Sequence, residues 1–341
     1  MRSRACRVTR GPGRWTLAAA AAVAAALLAF SATGPARAAS KVPGTSCPLF
    51  PADSWWSAKV HKLKVHKRSR RWMANMQPDR DLHPDFGPSY GAIPVPYGIP
   101  ITIVEGSHPK VTVDFQYDDE SDHVGYPLGD DTLVEGGQWT SGDRHTVVVD
   151  KNTCRLYETW ATRKSGSDWS AGSGATWDLN SNRLRRRGWT SADAAGLPIL
   201  PGLLNYDEVA ARRITHAIRF TTDVTDRRYL WPARHQAGSV DNRNYPPMGA
   251  RFRLKKSYRI AKGLRADTRA VLRAMKVYGL VLADNGSPWY FQGTSDVRWP
   301  EGLLDELKRV PASAFEAVDT SGLMIRKNSM QVRKKPKRKR R

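Results

Sequence analysis

Three histidines lie at the ends of predicted β-strands, where side chains from different strands can reach one face of a domain. They are His145, His216 and His235, and each has an arginine nearby in the sequence: Arg144, Arg219 and Arg234. A histidine titrates near neutral pH, so one of them could serve as a general base where the strand ends converge. The alternative is that all three are hydrogen-bonded structural residues.

Arginines of the same region could hold an anionic substrate. Arg219 or Arg251 could bind a carboxylate or a sulfate through paired hydrogen bonds. A base beside such a cation is what β-elimination on an acidic sugar requires, because the base removes the proton α to the carboxylate and the cation stabilises the developing charge. The histidines and Arg219 are therefore candidate catalytic residues of a lyase.

A carboxylate pair offers a second chemistry. Glu208 follows Tyr206 and Asp207 in an acidic turn, and Asp284 follows the apolar run 280–283. Glycoside hydrolysis uses two carboxylates about 5–10 Å apart. The competing interpretations are structural: Glu208 is also suited to the first turn of a helix, and Asp284 with Asn285 and Gly286 is also suited to a hairpin turn.

Aromatic side chains provide candidate binding residues. Trp231, Trp289 and Tyr290 could stack on the C–H faces of pyranose rings, together with Arg251 as an anion contact. Tryptophan is also an ordinary core residue, and the chain has 12 of them. A stacking platform and a large aromatic core therefore remain alternatives.

Neither a metal nor a cofactor is expected. No two histidines have the short spacing within one element that favours zinc, and the acidic cluster 114–131 does not match the calcium loop of an EF-hand, so a solvated loop is favoured. The sequence contains no nucleophile elbow, no HExxH motif, no phosphate-binding loop and no dinucleotide fingerprint.

The elements that would position these residues are predicted to be mostly strands. Turn-forming Gly and Pro total 49 of the 341 residues, which favours many short strands. We predict a hairpin over 144–158, further strands over 216–222 and 251–258, two strands about an Asn285-Gly286 turn, and one clear helix over 267–278. The fold expected is a β-sandwich or jelly roll with a few short helices.

The N-terminus is typical of an export signal. A basic lead precedes the apolar run 17–30, and Ala36-Arg37-Ala38 matches a cleavage box, so cleavage is predicted after Ala38. At 14 residues the run is shorter than the roughly 20 that span a bilayer, and no other stretch of the mature chain is apolar enough. Export predicts a disulfide between Cys47 and Cys154, with two free thiols as the alternative.

The net charge of +23 is unevenly distributed. Residues 1–38 contain six Arg and residues 333–341 eight basic residues, both without acids, which leaves +9 for the body. We expect three parts: a signal peptide (1–38), one β-rich domain (39–325) and a disordered basic tail (326–341). A flexible polycation would bind anionic extracellular polymer or cell wall, or remain a solvated tail.

Several ordered stretches carry a resemblance to a known family. They include GLPILPGLLNYDEV (196–209), HAIRF (216–220), LWPARH (230–235) and ADNGSPWYFQG (283–293). Over about 47–320 the chain resembles an uncharacterised family of secreted bacterial proteins. The resemblance implies export and brings no activity or catalytic residue with it.

Together these patterns predict a secreted, carbohydrate-active protein, a hydrolase or a lyase, acting on an extracellular or cell-wall polysaccharide. The alternative is a non-catalytic, wall-associated module that binds polysaccharide. Specific nucleic-acid binding is not expected, because the strongest positive charge lies in the tail rather than in a recognition element. We expect a monomer.

Overall fold

The computed structural model describes residues 40–90, 95–138 and 140–333. The predicted signal peptide and residues 334–341 lie outside these ranges. Four α-helices are found among the described residues: α1 (Ser69–Ala74), α2 (Tyr206–Ala210), α3 (Ala266–Val277) and α4 (Glu301–Leu307).

The strands of the described residues form five sheets of mixed size. In chain order they are β1 (His83–Asp85), β2 (Gly87–Tyr90), β3 (Val95–Tyr97), β4 (Thr102–Val104), β5 (Val113–Phe115), β6 (Thr146–Asp150), β7 (Arg155–Trp160), β8 (Arg163–Ser165), β9 (Asp168–Ala171), β10 (Ser173–Asp178), β11 (Ile218–Thr222), β12 (Asp226–Tyr229), β13 (Pro247–Met248), β14 (Arg251–Leu254), β15 (Leu280–Asn285), β16 (Tyr290–Gln292) and β17 (Phe315–Val318). Strand clearly exceeds helix, so the prediction of a mostly β protein is confirmed, and the described residues form no closed barrel.

The largest sheet has six strands in the order β1-β16-β11-β15-β14-β17. At its centre β11 pairs in parallel with β15 and antiparallel with β16. The two strands predicted about Asn285-Gly286 are present as β15 and β16. They do not pair with each other as a hairpin, since β11 lies between them. The apolar run 280–283 explains this placement, because its four residues are fully buried and suit a central strand rather than an edge.

The second sheet has four strands, β10-β7-β6-β4, and contains the predicted hairpin. Asp150 pairs with Arg155 across its turn, which confirms that prediction. Alternate residues of β6 serve two cores: Val147 and Val149 join the main core, while Val148 joins a smaller cluster with residues of β5 and β9. Strands β5, β9 and β8 form a three-stranded sheet.

Helix α3 confirms the clearest helical pattern in the sequence. Its apolar face packs against β14 and buries Val271, Leu272 and Met275 completely. The helix ends before Gly279, whose φ of +79° is the left-handed conformation that glycine adopts without strain. A side chain there would also lie only 2.1 Å from the carbonyl oxygen of Phe252.

The predicted disulfide between Cys47 and Cys154 is present. It joins the first described segment to the turn after β6, across 107 residues of chain. The crosslink is compatible with an oxidising compartment. No helix of the described residues is long and apolar enough to cross a membrane.

The basic tail differs from its predicted start at Arg326. Residues 326–333 pack on the body: Met330 is fully buried, its N–H donates to the Asn182 carbonyl at 2.7 Å, and Trp55 N–H donates to the Met330 carbonyl at 2.8 Å. Met330 and Val332 interrupt this basic stretch, and their apolar side chains can be buried against the body. The described part of the chain is ordered by contacts as far as Arg333.

Candidate active site

A cavity of about 330 Å³ lies where β15 ends. Two of the predicted site residues, Asp284 and His235, line it together, although 49 positions separate them in the sequence. Other lining side chains were not predicted: Tyr117, Glu120, Asp143 and Trp160. The pocket therefore combines three carboxyl groups, one imidazole and two aromatic rings, so it holds groups capable of acid–base chemistry beside apolar surface.

One wall of the pocket is a loop, residues 190–197, that is fixed by hydrogen bonds. The Ser191 hydroxyl lies 2.8 Å from the Asp193 carbonyl oxygen and 2.6 Å from the Leu197 carbonyl oxygen, which share its one proton, and it accepts a hydrogen bond from the Asp193 N–H. The Ala195 N–H donates to the Ala283 carbonyl of β15 at 2.8 Å. The loop is therefore held by hydrogen bonds against the strand that carries Asp284.

Two carboxyl groups share a single arginine at the base of the pocket. Buried Arg219 donates two hydrogen bonds to fully buried Asp193, at 2.7 and 3.1 Å, and its Nη2 lies 3.8 Å from Asp284 Oδ2. One cation cannot neutralise two neighbouring carboxylates in a low dielectric. Burial, and then the charge of Asp193, raise the pKa of Asp284 to about 8, against the opposing effects of Arg219 and His145.

Asp284 is therefore a protonated carboxylic acid at neutral pH that still reaches the pocket. Its side chain is 23% exposed, while that of Asp193 is fully buried. The Ala194 N–H contacts Oδ2 at 3.4 Å and helps to orient the group. A neutral carboxyl group facing a cavity has the state that a general acid requires.

Glu120 and His235 form the opposite polar part of the site. The Thr190 N–H donates to Glu120 Oε2 at 2.7 Å. His235 Nδ1 donates to the Ala194 carbonyl at 2.9 Å, so its Nε2 faces the Glu120 carboxylate, 3.8 Å away. Both side chains are about one quarter exposed, which leaves them accessible to a bound molecule.

Trp160 and Tyr117 supply the aromatic surface of the pocket. Their ring centroids lie 6.3 Å apart, and Trp160 Nε1 donates to exposed Asp143 at 3.3 Å. The backbone of Gly172 packs against the Trp160 ring so closely that a Cβ at that position would come within 2.1 Å of it. The indole is therefore positioned from two sides.

A buried ion pair lies behind the loop. His145 Nδ1 donates to Glu135 at 2.6 Å and Nε2 donates to the carbonyl of Ala192, so the ring is an imidazolium. Burial alone would lower the pKa of His145, but the Glu135 carboxylate outweighs it and raises that pKa to about 9. No lone pair is left to accept a proton, which contradicts the prediction that His145 is a general base.

Replacing His145 with glutamine should lower stability in a pH-dependent way. Its pKa is raised from 6.5 to about 9, so its contribution is complete below 6.5 and is lost as the pH rises through 9; the shift corresponds to about 3 kcal/mol. Urea unfolding of wild type and His145→Gln across this range measures it. His123→Gln is the control for the substitution itself, because this histidine is exposed. A constant difference between wild type and His145→Gln would contradict the assignment.

Glu158 extends the buried network to the start of a 3-10 turn. It is fully buried in β7 and accepts hydrogen bonds from the N–H groups of Ile199 and Leu200 at 2.9–3.0 Å. Burial raises its pKa to about 7, with the N–H donors acting in the opposite sense. Glu158 interacts electrostatically with Asp193 and His145 but does not line the pocket.

The chain matches no protein-family model, no curated protein and no solved structure. The resemblance to a family of secreted bacterial proteins therefore stays a prediction, and the function must be argued from the site itself.

The structure places Glu208 away from Asp284. Glu208 caps α2 through Asn205 and accepts hydrogen bonds from His216 Nε2 at 2.9 and 3.1 Å. Asp284 lines the pocket at the end of β15, whereas Glu208 does not line it and lies beside His216, before β11 begins. This separation contradicts a hydrolase pair of Glu208 and Asp284.

His216 and Arg219 also have structural roles. His216 donates from both nitrogens, to Glu208 and to the Ala217 carbonyl, and the pKa of this buried ring is raised by Glu208 in spite of burial. Arg219 is committed to Asp193. The prediction of His216 as base is contradicted, and Arg219 acts on Asp284 rather than on a substrate anion.

Two of the predicted binding residues belong to the core. Trp289 is fully buried between aromatic neighbours, with Phe220 stacked at 5.3 Å, and its indole N–H bonds to the Met76 carbonyl. Arg251 is 1% exposed and donates to backbone carbonyls, including that of Tyr278 at 2.7 Å. Neither can contact a polysaccharide, so these two predictions are wrong.

The remaining predicted binding residues are partly exposed but lie outside the pocket lining. Trp231 donates its indole N–H to the Ser329 carbonyl, and Tyr290 stacks on His83 at 3.9 Å. Within the described ranges no group of three or more His, Cys, Asp or Glu is arranged to hold a metal ion.

Proposed function

We propose that this chain is a secreted carbohydrate-active enzyme that hydrolyses glycosidic bonds of an extracellular or cell-wall polysaccharide. The observation that carries the proposal is the pocket in which a protonated carboxyl group, Asp284, shares a cavity with the Glu120 carboxylate and an indole face. An acid and a carboxylate held in different environments are the two groups that glycoside hydrolysis uses.

Each group then has a defined role. Asp284 donates its proton to the oxygen of the leaving sugar, and it regains a proton between turnovers because burial and the charge of Asp193 hold its pKa high. Glu120 supplies the carboxylate on the other side of the sugar, as base toward water or as nucleophile. Trp160 stacks on the pyranose ring, with Asp143 holding the indole.

Elimination is the second candidate, and His235 favours it. Of the three predicted histidines, His235 is the one that lines the pocket, and its Nε2 makes no hydrogen bond to the backbone in the described residues. In a lyase this nitrogen would take the proton α to a uronate carboxylate. The two reactions give different products, which makes them separable.

The wider setting is also part of the proposal. Export through the N-terminal signal remains a prediction with which the disulfide is compatible. A monomeric mature protein remains a prediction as well. A sandwich-like arrangement of the sheets also remains a prediction. The basic residues beyond 333 would retain the enzyme on anionic polymer or cell wall.

A substrate screen tests the proposal. The mature protein would be incubated with neutral and acidic polysaccharides, while new reducing ends and the ultraviolet absorbance of unsaturated uronates are followed together. Reducing ends without absorbance are expected for hydrolysis. Reducing ends with absorbance would replace hydrolysis by elimination and assign the base to His235. Binding of a polymer with no new ends across the panel would contradict an enzyme and leave a binding module.

A further inference from the structure

A second cavity, of about 800 Å³, adjoins the pocket. Consecutive residues face the two spaces: Trp189 lines the second cavity and Thr190 the pocket, and Arg234 lines the second cavity while His235 lines the pocket. Arg185 of the second cavity also donates to the backbone carbonyl of Glu120 at 2.6 Å. The two cavities therefore share one wall.

The second cavity is rich in arginine, and we call it the arginine groove. Its electrostatic character is opposite to that of the pocket. Its lining carries two carboxylates, Asp122 and Asp178, against six arginines: Arg155, Arg183, Arg185, Arg186, Arg187 and Arg234. The pocket, in contrast, is lined by three carboxyl groups. A concave surface with a large excess of guanidinium groups attracts anions and raises their local concentration.

Most of this charge is not neutralised by the protein. Arg185 pairs with Asp122 at 2.7 Å, but across residues 40–90, 95–138 and 140–333 no carboxylate lies within 4.0 Å of the guanidinium groups of Arg183, Arg186 or Arg187. All three are exposed.

The arginines are nevertheless held by neutral contacts. Arg186 lies over the Trp189 ring at 4.7 Å, and Arg187 Nε donates to the Tyr229 hydroxyl at 2.9 Å. Contacts of this kind orient a guanidinium without satisfying its charge. Arg186 and Arg187 are therefore pre-organised for an external anion rather than paired internally.

The inner wall of the groove has an excess of donors as well. Two buried donor atoms, Arg185 Nε and Trp177 Nε1, have no hydrogen-bond partner among the described residues. Both side chains line the groove and are more than nine-tenths buried. These two atoms have almost no accessible surface, so they lie behind the wall of the groove. The groups that a ligand can contact directly are the exposed guanidinium groups of Arg183, Arg186 and Arg187.

We propose that the arginine groove binds the carboxylate or sulfate groups of an acidic polysaccharide whose neighbouring residues enter the pocket. The inference rests on the proposed function for its direction, since the groove would then set the substrate class of that site. A nucleic acid is the less favoured occupant, because Trp177 is buried and the guanidinium groups of Arg185 and Arg186 already lie over the Trp189 ring, where a base would have to compete with them for stacking.

The test compares two triple variants with the same change in charge. Arg183→Ser/Arg186→Ser/Arg187→Ser removes the unpaired charge of the groove, and Arg213→Ser/Arg259→Ser/Arg273→Ser removes three exposed arginines elsewhere. Both keep the basic tail. Binding to polygalacturonate, dextran sulfate, neutral dextran and duplex DNA would be measured in full-length mature protein at low and at moderate salt.

The groove variant should bind polygalacturonate or dextran sulfate about tenfold more weakly than wild type, and the control variant should change less than about twofold. Whichever of the two polymers loses more identifies carboxylate or sulfate as the recognised group. Equal losses in both variants, or a groove-specific loss confined to DNA, would overturn the inference.

Cleavage separates this inference from the proposed function. Groove-specific loss of binding with no polymer cleaved would contradict the enzyme and support the groove. Cleavage of an acidic polymer with KM unchanged in the groove variant would support the enzyme and contradict the groove. If both hold, the groove variant should raise KM and leave kcat near the wild-type value.

Discussion

Replacing Asp284 with asparagine should lower kcat about a thousandfold and make the protein more stable. As the general acid, Asp284 contributes about a thousandfold to kcat. Its pKa is raised from 3.8 to about 8, so the folded state resists its ionisation, and above pH 3.8 this group favours the unfolded chain, in which it can ionise. Asparagine removes that effect. The expected gain at neutral pH is on the order of 2–4 kcal/mol.

The pH dependence fixes the sign of both effects. The contribution of protonated Asp284 to stability is complete below 3.8 and is lost as the pH rises through about 8, so the advantage of Asp284→Asn should grow over that range. Activity of the wild type should fall as the pH passes about 8, because the acid loses its proton. Urea unfolding and initial rates at matched pH values measure the two.

Asp193→Asn is the matched control, because it removes the neighbouring carboxylate of the same pair. Asp193 holds buried Arg219 through two hydrogen bonds, and breaking such a pair costs up to about 3–5 kcal/mol. Part of this cost is recovered because Asp284, freed from the charge of Asp193, ionises more readily beside Arg219, so a net loss of stability is expected. Opposite stability changes in the two variants are the expected result. A destabilised Asp284→Asn that retains activity would contradict the acid assignment.

Removing the disulfide should give the largest loss of stability. The double variant Cys47→Ala/Cys154→Ala opens a loop of 107 residues, which on the chain-entropy model costs about 4–5 kcal/mol. The reason is that the crosslink restricts the unfolded chain, and Cys47 also anchors the first described segment to the turn after β6. Urea unfolding of wild type and double variant measures the difference.

Reduction provides the control for this prediction. A reducing agent should lower the stability of the wild type by a similar amount and leave the double variant unchanged. A loss of less than about 1 kcal/mol on removing the crosslink would contradict the loop-closure account.

Local patterns in the sequence predicted the elements that depend on neighbouring residues. The hairpin of β6 and β7, helix α3 with its buried face, and the Cys47–Cys154 bridge were all predicted correctly. The hairpin was predicted from alternating residues and the helix from a helical repeat, both within a short stretch of sequence. The disulfide was predicted from an even number of cysteines in the mature chain.

The site depended on long-range pairing, which those patterns do not encode. Insertion of β11 between β15 and β16 places Asp284 at a sheet end rather than in a hairpin turn. Glu120 was visible only as one member of an acidic cluster, and Asp193 had no distinguishing neighbour. Their partners, His235 and Arg219, come from other parts of the chain.

Burial was the second property hidden from the sequence. Arg251 and Trp289 are residue types found both in binding sites and in cores, and only the fold shows that backbone carbonyls of Tyr278 and Met76 satisfy their donors. For the arginine-rich run 183–187 the difficulty was the reverse, since its sequence does not indicate a binding role. It has the composition of a solvated patch, and the groove lining is what gives it a proposed role.

The titration of Asp284 tests the central claim most directly, because it needs no substrate. The ¹³C carboxyl signals of wild type would be followed against pH, with Asp284→Asn used to assign the signal that disappears. The account predicts a midpoint near 8, since Asp193 and burial oppose ionisation. A midpoint near the ordinary value of 3.8 would show an ionised carboxylate at neutral pH and contradict Asp284 as the general acid.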